Sequence, residues 1–327
     1  MASANQLKAL LKSYADGDHE HFFAIAMQVA AHEAKLGHSK LAHDLKNIID
    51  DAKVNQQKDR LIKKPIPIAS PRGDLSTLLS ISYSKIRISD MILSEDLSAR
   101  LSRIVKEQRQ LSKLRAHGLS PRRKLLLIGP PGTGKTMSAS ALAGEFSLPL
   151  FEIRLEGLIT KYMGETAAKL RLVFDAITET RGVYLFDEFD SIGSQRKITN
   201  DVGEIRRVLN SFLQFIEQDE SDSLILAATN HIEILDHALF RRFDDVIQYT
   251  LPNKKLIIDT LKARLASYIK NNIDWQKLAD FSSGLSYAEI TRACEDAVKE
   301  NIIDDRKNLE TNDVIRSISE RKSLIHK

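Results

Sequence analysis

Residues 124–136 read KLLLIGPPGTGKT. The apolar run 125–128 predicts a buried strand, and Gly129 to Thr136 fit G-x-x-x-x-G-K-[ST], the phosphate-binding P-loop. Gly129, Gly132 and Gly134 let the backbone turn tightly and bring its N–H groups against phosphate oxygens, with Pro130, Pro131 and Thr133 between them. Lys135 places a point charge near the β- and γ-phosphates, and the Thr136 hydroxyl suits Mg²⁺. Residues 137–146, MSASALAGEF, favour a helix whose positive N-terminal end faces the phosphates. Met137 opens that run and closes the predicted nucleotide cradle.

Downstream, residues 150–155 alternate as LFEIRL and predict a strand. KYMGET, 161–166, reads as a loop, and 167–178 as a helix. Residues 183–186 form a second apolar strand that runs into Asp187 and Glu188. Beside a P-loop, that acidic pair fits the other half of an ATP-hydrolysing site. Asp187 would hold Mg²⁺ and Glu188 would polarise the attacking water. Residues 223–229, SLILAAT, predict a third buried strand, and Asn230 at its carboxyl end points towards the ligand crevice. The stretch LFRRFD, 239–244, carries the adjacent Arg241 and Arg242, candidates for an arginine finger. Residues 246–249 predict one more strand. From 253 the chain reads as helices over 254–271, 274–280, 286–301 and 311–322.

Upstream, residues 1–57 read as three short amphipathic helices forming a small bundle. His19, His21, His32, His38 and His43 are too loosely spaced for a metal site. Residues 58–74 carry Pro65, Pro67 and Pro71 and read as an extended tether, while 76–92 is ambiguous. Ser94 caps a helix over 95–118, ended by Gly118. Its cations, with Arg122, Arg123 and Lys124, invite a nucleic-acid reading, but its apolar stripe marks a helix packed on one side. The net charge of +4 on 327 residues is too small to argue for nucleic acid. The single cysteine, Cys294, forbids an internal disulfide and reads as a packing residue. No signal pattern or membrane-length apolar run is present, so a cytoplasmic location is expected.

Taken as an ordered set, these motifs resemble the AAA+ ATPases, within the AAA group that includes protein-remodelling machines. GPPGTGKT looks like the Walker A loop of that family, VYLFDEFD like its Walker B strand and LAATN like the sensor-1 strand, with Asn230 in the sensor position. Residues 238–244 resemble the second region of homology without its usual spacer between the arginines. GLSYAEI looks like the lid helix, with Ala288 where AAA+ proteins outside this group carry a sensor-2 arginine. No lid arginine is therefore expected in the site. KYMGET resembles the pore loop, in which Tyr162 and Met163 would grip an extended polypeptide, flanked by Lys161; residues 193–203 sit where a second pore loop would lie.

The resemblance implies an α/β fold: a P-loop AAA+ domain with a parallel sheet, followed by an all-helical lid and preceded by the small helical bundle. The expected boundaries are 1–57 for the bundle, 58–89 for the linker, 90–252 for the ATPase domain and 253–327 for the lid. It implies ATP and Mg²⁺ as cofactors and a homo-oligomer, a hexameric ring, in which Arg241 or Arg242 enters the neighbour's site. The implied activity is ATP-driven protein remodelling. The alternative is an ATP-gated module that controls a partner protein without threading it. The N-terminal segment is similar to that of bacterial AAA ATPases encoded beside subtilisin-like serine proteases, which makes such a protease a candidate partner. Membrane association is not expected.

Overall fold

The computed structural model describes residues 25–27, 29, 30, 38, 42–45, 47, 75–158, 163–189, 202–231, 240–269, 273–306 and 308–325. The chain divides into two compact units, Met1–Ile68 and Ala69–Lys327. In the first, the described residues 25–27, 29, 30, 42–45 and 47 are helical, and Ile25 and Ala30 are buried. Most of the expected bundle, and linker residues 58–74, lie outside the described residues.

The second unit is built on a six-stranded sheet. Its strands are β1 (Leu79–Ser82), β2 (Lys124–Ile128), β3 (Leu150–Ile153), β4 (Val183–Phe186), β5 (Leu224–Thr229) and β6 (Asp245–Gln248), in the order β1-β3-β4-β5-β2-β6. All pairings are parallel except β1 with β3. β2, β4 and β5 are buried along their whole length, the behaviour of parallel strands covered on both faces.

The pleat sends alternate residues to opposite layers. Leu126, Ile128, Tyr184, Phe186, Ile225 and Ala227 face one core, which α6 (Met163–Glu179) and α7 (Val202–Gln218) cover. There Phe174, Phe186, Phe189 and Phe212 pack as stacked, edge-to-face and tilted pairs at centroid distances of 4.5–6.1 Å. Leu125, Leu127, Val183, Leu185, Leu224 and Leu226 face the other core. That layer is covered by α2 (Glu95–Arg109) and by α4 (Lys135–Phe146).

After β6, four helices form a separate apolar cluster: α8 (Lys254–Leu265), α9 (Trp275–Ser282), α10 (Tyr287–Ile303) and α11 (Thr311–Ile325). Cys294 is buried in it, and burial pushes its thiol up to about 12, so it stays protonated.

Three segments differ from the sequence reading. Part of the stretch assigned to the linker is structured: α1 (Leu75–Leu78) leads into β1, which zips antiparallel onto β3. The helix expected over 95–118 breaks at Gln110, giving α2 and a six-residue α3 (Leu111–Ala116). Finally, Met163 to Thr166 belong to the first turn of α6 and not to a loop; α5 (Leu155–Leu158) precedes them.

The cationic helix is largely neutralised. Arg100 pairs with Asp96 and Asp245, Arg103 and Arg122 with Glu107, Arg109 with Glu145, Arg115 with Asp222 and Arg123 with Asp219. These bridges lie within α2 and the turn after it or tie them and α3 to β6, α4 and residues 219–222, leaving few cations to face phosphates.

Candidate active site

The P-loop leaves the carboxyl end of β2 between β5 and β6. Gly129 has φ +152°, and a Cβ there would stand 2.3 Å from the Tyr249 carbonyl oxygen, so only glycine fits against the strand. Its N–H donates to the Thr229 carbonyl at 3.2 Å. Tyr249 is buried, with its hydroxyl 2.7 Å from Ser138 Oγ, and burial pushes its phenol up to about 12. The Thr133 hydroxyl donates to the Pro130 carbonyl at 2.8 Å and closes the loop on itself.

Lys135 begins α4 and is buried. Its ammonium donates to the carbonyls of Gly129 and Pro130 at 2.7 and 2.9 Å and to Asn230 Oδ1 at 2.7 Å. Burial without loss of charge demands such acceptors. The contact also ties the loop to the end of β5. One residue on, the Thr136 hydroxyl donates to Asp187 Oδ2 at 2.6 Å. The other Asp187 oxygen accepts the Glu188 N–H at 2.9 Å. Glu188 takes a left-handed backbone, φ +49°, a conformation that costs a non-glycine residue about 1 kcal/mol or more. Sequence-distant groups therefore meet: P-loop, acidic pair and Asn230 share one cavity of about 530 Å³.

That cavity is also lined by Pro131, Gly132, Gly134 and Met137 from the loop side and by Tyr287, Ala288 and Thr291 from the lid. A second cavity of about 390 Å³ shares Gly134, Met137, Tyr287 and Thr291 with it and adds Thr133 and residues 89–93. Together they span the size range of small-molecule sites. The lid touches the loop directly: the Ala288 N–H donates to the Gly132 carbonyl at 3.1 Å. Ser286 caps α10, accepting from Glu289 N–H while the Glu289 carboxylate accepts the Ser286 N–H.

One expectation is overturned. Two lid arginines, Arg264 and Arg292, line the larger cavity, joined by Glu295. Ala288, Arg292 and Glu295 share a helix face at i, i+4 and i+7, a signal the sequence carries; nothing in the sequence marks Arg264. Conversely, Arg241 and Arg242 lie outside the residues lining that cavity. Both are exposed; Arg242 is ion-paired with Glu217, while Arg241 has no hydrogen bond or ion pair among the described residues. Lys161 and Tyr162 lie outside the described residues, as do residues 193–201 of the second expected pore loop and residues 238–239. Met163 is the first residue of α6.

Residues 125–251 match the family model "ATPase family associated with various cellular activities (AAA)". An uncharacterized AAA family ATPase of Sinorhizobium fredii is 34% identical over 321 residues, covering 98% of this chain and 96% of the relative. The chain belongs to the AAA ATPase family. Further relatives of this AAA ATPase carry more specific names. A proteasome-activating nucleotidase of Saccharolobus solfataricus is 32% identical over 80% of this chain and 72% of its own length. The ATP-dependent zinc metalloprotease FtsH of Helicobacter felis is 32% identical over 69% of this chain but 37% of its own. Family membership makes the protein an ATP-binding, ATP-hydrolysing enzyme. The cavity fits that ligand: glycines where the backbone approaches, a buried lysine, and a hydroxyl bonded to a carboxylate. No helix among the described residues is long and apolar enough to cross a membrane.

Proposed function

We propose that this AAA ATPase remodels proteins as a ring whose active sites are completed between neighbouring copies. The observation that carries the reading is the position of Arg241: exposed, without a bonded partner among the described residues, and outside its own chain's cavity. An arginine so placed is suited to a neighbour's γ-phosphate, where such fingers accelerate cleavage by roughly 10³–10⁵. Arg242 is held by Glu217 and is suited to orienting that surface.

Within one copy, Gly129 to Met137 cradle the phosphates and Lys135 exchanges its carbonyl and Asn230 contacts for phosphate oxygens. Thr136 and Asp187, already hydrogen-bonded, would hold Mg²⁺, which supplies charge neutralisation of the phosphates. Glu188 orients and deprotonates the attacking water, and Asn230 positions it from the end of β5. Ala288 and Tyr287 close the lid side. Lys161, Tyr162 and Met163 would engage the polypeptide.

Complementation between two inactive variants tests this. Glu188→Gln should retain ATP and lose turnover; the Arg241→Ala, Arg242→Ala double variant should also lose turnover. Mixing the two restores activity, because an intact Glu188 in one copy then faces intact arginines in the next. A mixture that stays inactive although mixed oligomers form, or a double variant at wild-type rate, overturns the shared site.

A second reading takes its cue from the name of one relative, a proteasome-activating nucleotidase, which describes action on a partner. Here the ring assembles on ATP and controls a partner, such as a subtilisin-like protease, without threading it.

A further inference from the structure

We propose that Arg292, from within α10, reads the γ-phosphate of ATP bound to its own chain. The inference rests on the ATP site described above. Arg292 lies one turn beyond Ala288 on the same face of the helix, and it lines the cavity that also holds Lys135, Thr136, Asp187, Glu188 and Asn230.

The lid's arginines divide into two sets. Arg306 pairs with Asp304 and Asp313, Arg316 with Glu300, and Arg321 with Asp296. Arg264 and Arg292, the two that line the cavity, make no hydrogen bond or ion pair among the described residues. The pairing therefore stops where the lid meets the phosphate loop. The charge of the cavity points the same way. Its lining holds Lys135, Arg264 and Arg292 against Asp187, Glu188 and Glu295. Without the two arginines, one cation would stand among three carboxylates, so the two guanidiniums supply most of the positive charge of the lining.

Position separates the two arginines. Arg264 also lines the adjoining cavity, with Thr133, Met137 and Tyr287, and so stands at the junction of the two spaces. Arg292 lines only the space that contains the acidic pair and Asn230. A guanidinium there presents a planar fork of donors that matches phosphate oxygens. Arg292 is thus assigned to the terminal phosphate, and Arg264 to the part of the nucleotide common to ATP and ADP.

Calorimetric titration of the full chain with Mg²⁺ and either ADP or a non-hydrolysable ATP analogue tests the assignment. Arg292→Ala should weaken the ATP analogue about tenfold and ADP by no more than about twofold. Arg292→Lys should recover part of the loss, and Arg264→Ala should weaken both ligands alike. Equal losses for the two ligands in Arg292→Ala, or no loss for either, overturns the proposal. Lys135→Ala provides the separate control. If wild-type protein binds neither nucleotide, or Lys135→Ala binds both undiminished, the ATP site itself is misplaced and not merely the role of Arg292.

Discussion

Gly132 shows how much a single hydrogen atom in place of a side chain decides. Its φ is +73°, and a Cβ there would sit 2.5 Å from Ser286 Oγ and 3.0 Å from the Ala288 methyl. The same residue's carbonyl accepts the Ala288 N–H. Gly132→Ala should therefore strain the loop and push the lid off its seat, weakening ATP binding about tenfold in a direct titration. Ser286→Gly removes the nearer obstacle at a cost of only a few tenths of a kcal/mol in helix capping. The double variant should regain part of the lost affinity; no recovery means that backbone strain alone is responsible. At this scale the sequence was most readable. A loop of glycines, a lysine and a threonine has few alternative uses, and two carboxylates ending an apolar strand beside it narrow the chemistry further. Arg264 was invisible because nothing local distinguishes a cavity-facing arginine from a solvated one. Arg292 was visible only as a periodicity with Ala288.

Among elements, the buried strands β2, β4 and β5 were legible to within a residue or so, because their apolar runs are short, uninterrupted and bounded by turn residues. β1 was not: LSIS is half polar, and its pairing depends on β3, some seventy residues later. Its consequence lies downstream, where residues 84–86 cross α4. A Cβ at Gly144 would stand 2.0 Å from the Ile86 carbonyl oxygen and 3.4 Å from that of Ser84. Gly144→Ala raises helix propensity by about 1 kcal/mol, but backbone cannot yield as a flexible side chain does. The net effect should be a loss of about 1–3 kcal/mol, read as a melting temperature lower by several degrees. An unchanged or raised melting temperature would show that the crossing segment moves aside freely.

On the scale of the whole molecule, the order of motifs conveyed the α/β domain and its helical lid, while contacts between elements had to be seen. The loop-to-lid hydrogen bond and the neutralised cations of α2 are of that kind. Function at this scale depends on surfaces that face other molecules. Tyr162→Ala discriminates the two readings proposed here: degradation or unfolding of a tethered client should fall about tenfold or more if polypeptide is drawn through a pore, with ATP turnover largely kept. Retention of all client-directed activity favours control of a partner without threading. The bond between Ala288 and Gly132 bears on either. It pins α10 at one end, and this helix of 17 residues extends about 25 Å from the pin. A tilt of about 10° at the pin carries the far end through roughly 4 Å. That end holds Ile302 and Ile303, which are 60% and 78% exposed. Displacement in any such tilt would be least beside the P-loop and greatest at the end that exposes these two isoleucines.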